Sequence, residues 1–172
     1  MTRLTSFAGL LDSLSAVIGK YLSWLALFMV LVQFSLVLAR YVFGVGPVAL
    51  QESVIYSFSL LFMLGAADTL RRGGHVRIDF LYGNLGQTGK AAIDLVGTLF
   101  LLFPVCLVIL FLSWNYVAGS WTIVEGSRES SGLPFLFLLK SLLLVFPVLM
   151  ILQGLAIACR AITEILSREE RP

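Results

Sequence analysis

Few side chains in this sequence are of the kinds that carry metal or redox chemistry. There is one histidine, His75, and there are two cysteines, Cys106 and Cys159. Haem ligation by paired imidazoles needs two histidines, so a haem subunit of that type is excluded by ligand count. One histidine and two distant cysteines do not make a metal site. Two cysteines also fall short of a disulfide framework. We therefore expect separate thiols and no cofactor.

Acids and bases are the second possible source of chemistry, and they are absent from the centres of the long apolar runs. The charges that border these runs are Lys20, Arg40, Glu52, Asp68, Asp94, Lys140 and Arg160. Ionisable groups at the bilayer centre usually mark proton paths or voltage sensors. A membrane-embedded serine protease would need a base at membrane depth, whereas His75 lies between two runs. The sequence thus predicts no enzyme and no self-sufficient proton-coupled exporter.

Uncharged polar residues do occur inside the runs. They are Gln33, Ser35, Ser57, Ser59 and Gln153. Such side chains commonly hydrogen-bond between membrane helices, so we expect them to hold a helix bundle together rather than to bind substrate.

The composition indicates a lipid environment for the elements that carry these residues. Hydrophobic residues make up 59% of the 172 positions and charged residues 13%, against about half and a quarter in soluble domains. No basic face or stripe suggests nucleic-acid binding. A chain of this length is expected to form a single domain, residues 1–172.

Four runs are long enough to cross the membrane as helices, which needs about 20 apolar residues each. The predicted spans are about 21–39, 50–70, 95–118 and 141–159. Pro104 and Pro147 fall inside spans, where proline kinks a helix rather than ends it. The expected fold is therefore an all-α integral membrane bundle of four transmembrane helices.

The distribution of lysine and arginine predicts the orientation of this bundle. Nine basic residues fall on the side that holds both termini and the middle loop, and three fall on the other side. Because cytoplasmic loops carry the excess of basic residues, we expect cytoplasmic N and C termini.

The segment before the first span has apolar residues at three- and four-residue spacing, from Leu4 to Ile18. This pattern is typical of an amphipathic helix that lies in the cytoplasmic interface. The alternative is a helical extension of the first span out of the membrane.

Several motifs resemble the DctQ-type small membrane subunit of tripartite ATP-independent periplasmic (TRAP) transporters. They are Arg40-Tyr-Val-Phe, Pro47, Gln51-Glu52-Ser53, Gly65-Ala66-Ala67, Leu70-Arg-Arg-Gly-Gly-His-Val-Arg-Ile-Asp, and later Glu125-Gly-Ser-Arg-Glu and Gly132-Leu-Pro. The resemblance extends from about Leu22 to Arg160. In its details the sequence is similar to the branch of the family labelled mannitol/chloroaromatic, a label that fixes no solute.

The resemblance implies a non-catalytic small permease subunit in the bacterial inner membrane. Its expected partners are the large permease subunit, a transient periplasmic solute-binding protein and membrane lipids. The transporter would import a small organic acid or similar solute by sodium-driven symport. The sodium and solute sites would belong to the large subunit, which the small subunit scaffolds. A stand-alone homo-oligomeric transporter or channel is the rival function. A membrane anchor for a redox enzyme is a third hypothesis, which the single histidine disfavours because paired haem ligation needs two.

Two groups of charged residues are candidates for contacts in such a complex. A structural or subunit-interface cluster would comprise Glu52, Arg71, His75, Arg77 and Asp79, and a periplasmic docking surface would comprise Glu125, Arg128 and Glu129. Glu52 matches the acidic position of the family pattern. The alternatives are an unpartnered interfacial Glu52, lipid-headgroup contacts for the arginines and a solvated outer loop.

Overall fold

The computed structural model describes residues 2–74 and 85–169, with side chains described from residue 6 to residue 167. This part of the chain is helical, without strands. Helix α1 is Thr2–Phe43 and α2 is Val48–Arg71. Helix α3 covers Gln87–Thr122, and α4 is Leu136–Glu169. All four are long and apolar enough to cross a membrane, and each of the four predicted spans lies within one of them.

Helix α1 corrects one prediction about the N-terminus. The expected interfacial helix is not a separate element, because Thr2–Phe43 is one continuous helix. The alternative, a helical extension of the first span, is what the structure shows. The physical reason is a tertiary contact: Ala8 and Ser15 are buried, and Ser15 hydrogen-bonds α4. The apolar spacing therefore serves packing within the bundle, at least in part.

Helix α4 is the centre of the bundle, since it contacts all three other helices. Helix α1 also packs along α2. Ala67 of α2, Cys106 of α3 and Met150 of α4 form a buried apolar cluster where these helices meet. Both cysteines are free thiols, as expected. The bundle has two ends: the terminal end, where α1 begins and α4 ends, and the loop end, where the connections 44–47 and 123–135 lie.

Helix α3 contains a widened π-helical turn, Thr98–Leu102, immediately before Phe103 and Pro104. Proline lacks an N–H and its ring crowds the carbonyl four residues earlier, so a local departure from α-helical geometry is expected there. The turn packs against Gly154 of α4, where an added Cβ would lie 2.8 Å from side-chain atoms of Leu102 and Phe103. Glycine at this position thus permits the close approach of α3 and α4.

Two glycines of α1 give a matched test of the α1–α2 packing. A Cβ at Gly19 would lie 2.6 Å from Cγ of Asp68, whereas a Cβ at Gly9 would meet nothing within 4 Å. We expect Gly19→Ala to lower the free energy of unfolding by about 1–3 kcal/mol, since overpacking forces its neighbours to move. Gly9→Ala should raise it by up to about 1 kcal/mol through helix propensity. Denaturant titration in detergent micelles measures both, and equal effects would contradict the packing described here.

Candidate functional site

Ion pairs and side-chain hydrogen bonds between residues far apart in the sequence, as far as the described residues go, concentrate in two clusters, one at each end of the bundle. The loop-end cluster joins Glu52, Glu125, Ser127, Leu133 and Lys140. The terminal-end cluster consists of an α1–α4 network around Gln153 and an acid–arginine group around Asp68.

Glu52 lies near the start of α2 and connects this helix to the connection 123–135. Its carboxylate accepts a hydrogen bond from the backbone N–H of Leu133 at 2.6 Å and another from the hydroxyl of Ser127. Ser127 also accepts a hydrogen bond from the N–H of Glu129, and its own N–H donates to the carbonyl of Leu133. Glu52 therefore fastens a loop that lies 81 residues further along the chain.

Glu125 and Lys140 form the second part of the loop-end cluster. The Lys140 ammonium donates to the Glu125 carboxylate, and both side chains are largely buried, at 14% and 21% exposed. The same ammonium lies 4.2 Å from the centre of the Tyr116 ring, a cation–π distance. The hydrogen bond from Lys140 lowers the pKa of Glu125 below its ordinary value. This ion pair connects the end of α3 to the start of α4.

The three residues expected to dock a binding protein therefore differ in their surroundings. Glu125 is engaged by Lys140, whereas Arg128 and Glu129 are exposed. A groove of about 360 Å³ beside them is lined by residues of α2, α3 and α4, among them Ser59 and Tyr116, and by Glu125 and Arg128 of the connection 123–135.

At the terminal end, Asp68 is the centre of a local ion-pair group. Its two carboxylate oxygens accept from Arg71 and Arg72, each at 2.8 Å. The Asp68 side chain is only 10% exposed and lies against Gly19 of α1. Of the residues expected to form a structural or subunit-interface cluster, Glu52 lies at the opposite end of α2 from Arg71. His75, Arg77 and Asp79 lie outside the described part of the chain. Asp68 was not expected to be a site residue, although its spacing from both arginines is that of helix neighbours.

Gln153 links α4 to the N-terminal half of α1. It is completely buried. The hydroxyl of Ser15 donates to its Oε1 at 2.7 Å, and its Nε2 donates to a carboxylate oxygen of Asp12 at 2.9 Å. Arg160 donates to the other oxygen of Asp12. The expectation that Gln153 connects helices is confirmed, while its partners Asp12, Ser15 and Arg160 were not foreseen.

The serines inside the spans do not connect helices as expected. Ser35, Ser57 and Ser59 each donate to the backbone carbonyl four residues earlier in the same helix. A serine hydroxyl reaches that carbonyl without any partner helix, which is why this local bond forms instead.

The described residues of the two clusters do not form a metal site. Among the described residues, no group of three or more histidine, cysteine, aspartate or glutamate side chains could hold a metal ion. The acids instead accept hydrogen bonds from neighbouring side chains or backbone. The arrangement can hold helices and a loop in fixed positions.

Comparison with known proteins gives one finding. Residues 29–164 match the family model described as tripartite ATP-independent periplasmic transporters, DctQ component. This range contains most of the chain and every described residue of the loop-end cluster. No curated protein and no solved structure matches the sequence.

Proposed function

We propose that this chain, which belongs to the DctQ component family of tripartite ATP-independent periplasmic transporters, scaffolds the large permease subunit. On this proposal it does not catalyse transport itself. Membership makes it the small, multi-pass inner-membrane subunit of a transporter that also has a large permease and a periplasmic binding protein. Scaffolding is the step that the proposal adds.

The observation that carries this proposal is where the described ion pairs lie. Asp68 with its arginines, Asp12 with Arg160, and Glu125 with Lys140 all lie towards the ends of helices. The Asp12 and Glu125 pairs each join two separate elements of the bundle, whereas the Asp68 pairs lie within α2 and its C-cap. A transport path would need polar or ionisable groups exposed along the membrane interior. The ionisable groups named above are instead paired within the chain, and Gln33, which is exposed on α1, carries no charge. Such a bundle suits a part that supports a moving neighbour.

We further propose that the transporter is sodium-driven and imports a small organic acid or a similar solute captured by the binding protein. The sodium and solute sites then belong to the large subunit. The terminal end of the bundle is assigned to the cytoplasm on the excess of basic residues. The mannitol/chloroaromatic label stays a prediction from resemblance and names no solute.

A membrane-insertion experiment tests the scaffold role. Cells that express a tagged large subunit would be compared with and without this chain, with messenger levels held equal. The proposal predicts that loss of the chain strongly lowers the amount of large subunit in the inner membrane and abolishes uptake. Normal amounts of a fully active large subunit would contradict it. Transport by the purified chain alone in liposomes would instead favour the stand-alone function.

The exposed charges at the loop end give a prediction for the binding protein. We expect the double variant Arg128→Glu/Glu129→Lys to raise the binding-protein concentration needed for half-maximal uptake about threefold to tenfold. Each of the two lost rim contacts contributes about 0.3–0.7 kcal/mol. Glu125 is left unchanged because its reversal would also break the Lys140 pair. The control is Lys20→Gln, exposed at the terminal end. An unchanged concentration dependence would remove both residues from the docking surface.

A further inference from the structure

A groove between α1 and α2 opens on the outside of the bundle. It has a volume of about 530 Å³ and is lined by Met29, Val30, Gln33, Phe34, Val37 and Val54. The first five residues belong to α1 and the last to α2. No described residue of α3 or α4 lines this groove.

Gln33 is the polar exception in this apolar groove. Its side chain is exposed and makes no hydrogen bond within the described part of the chain. At helical rise it lies about 20 Å from Lys20 and about 10 Å from Arg40, which places it inside the hydrocarbon layer. The nearby hydroxyl of Ser35 is satisfied by the carbonyl of Leu31. The Gln33 amide therefore differs from the other polar group on this stretch of α1.

The position of Gln33 on α1 explains why it has no partner in the bundle. Ser15 precedes it by 18 residues, which is five turns of an α-helix, so the two side chains lie on the same face. Ser15 bonds Gln153 of α4. At the level of Gln33, α4 no longer lies against this face, because the groove is lined by α1 and α2 alone. The face of α1 that α4 covers at Ser15 is therefore left uncovered at Gln33.

An amide left unpaired in hydrocarbon is costly, and neighbouring helices are what usually satisfies it. We propose that a transmembrane helix of the large permease subunit lies in this groove and presents a hydrogen-bonding side chain to Gln33. The inference rests on the proposed function. The third component of the transporter is periplasmic, so the large permease is the component with helices at this depth. All lining residues also fall within the family match, 29–164.

Site-specific photocrosslinking tests the location of this contact. A photoreactive amino acid would replace Val30 or Val37, which flank Gln33 and are 59% and 42% exposed. The control position is Phe111 of α3, which is 82% exposed. After irradiation of membranes that contain the whole transporter, we expect adducts with the large subunit from the two groove positions and none from Phe111.

Gln33→Leu tests the hydrogen bond itself. The direction of its effect on the stability of the complex separates a Gln33 that faces lipid from one that bonds the large subunit. If Gln33 faces lipid, leucine removes a polar group from hydrocarbon and the complex is unchanged or more stable. If Gln33 bonds the large subunit, leucine leaves the partner's group unpaired. We then expect about three- to tenfold less co-purified large subunit after a stringent detergent wash, the effect of one interhelical hydrogen bond. The control Ser35→Ala, whose hydroxyl is satisfied within α1, should have no effect.

The outcomes distinguish this inference from the proposed function. Co-purification of the large subunit with adducts only from Phe111 would overturn the groove assignment and leave the proposed function standing. Adducts between two copies of this chain from Val30 or Val37 would overturn the assignment in favour of self-association. Absence of any co-purified large subunit would overturn both.

Discussion

Replacing Glu52 with alanine should lower the free energy of unfolding by about 3 kcal/mol and release the connection 123–135. The carboxylate accepts two hydrogen bonds from this loop, from Ser127 and from the N–H of Leu133. Hydrogen bonds to charged groups contribute about 1.5–3 kcal/mol each, and the donor left behind adds to the loss. Because Glu52 is partly exposed, we expect each bond to contribute near the lower value, which gives about 3 kcal/mol for the two.

Two measurements check this expectation. Denaturant titration in detergent gives the stability change, and limited proteolysis reports exposure of the loop. Glu129→Ala is the matched control, since it removes an exposed acid from the same loop. Glu52→Gln retains one acceptor oxygen and should fall between alanine and the parent protein. A Glu52→Ala variant as stable and as protease-resistant as Glu129→Ala would show that Glu52 does not hold the loop.

Replacing Gln153 with leucine should cost about 2 kcal/mol and loosen the N-terminal half of α1 from α4. The substitution removes two interhelical hydrogen bonds, to Ser15 and to Asp12, and such bonds contribute up to about 1–2 kcal/mol each in membranes. The side chain is completely buried, so water cannot replace the lost partner. Asp12 keeps its pair with Arg160, which limits the loss.

The same substitution at an exposed position controls for composition. Gln33→Leu in the isolated chain should leave the unfolding midpoint unchanged, because Gln33 makes no hydrogen bond within the described part of the chain. A double-mutant cycle with Ser15→Ala should be clearly non-additive, since the two residues share one hydrogen bond. Additive effects, or equal effects of Gln153→Leu and Gln33→Leu, would refute the network.

The membrane spans were predictable from the sequence because they depend on the composition of short, continuous segments. Apolar runs bounded by charges such as Arg40 and Glu52 determine where a chain can cross hydrocarbon. The continuity of α1 was not predictable in this way. A segment with the periodicity of residues 4–18 suits a membrane surface and a helix partner equally well. The choice is made by Ser15 and Asp12 meeting Gln153, which is more than 130 residues away in the chain.

In the candidate site, too, contacts between helix neighbours were predictable from the sequence and contacts between distant segments were not. The pairing of Asp68 with Arg71 and Arg72 follows helical spacing, so the sequence contained that signal. The bonds from Glu52 to Ser127 and Leu133 depend on how α2 and the α3–α4 connection come together. No pattern within either segment reveals them. The family resemblance identified Glu52 as notable, and the geometry supplies the contacts it makes.

Purification from native membranes would show whether this chain is a subunit that supports a larger permease. The tagged chain would be extracted in mild detergent, and its companions would be identified and counted by mass spectrometry. We expect a large hydrophobic permease in stoichiometric amount. A homo-oligomer of this chain alone, stable across several detergents, would contradict it.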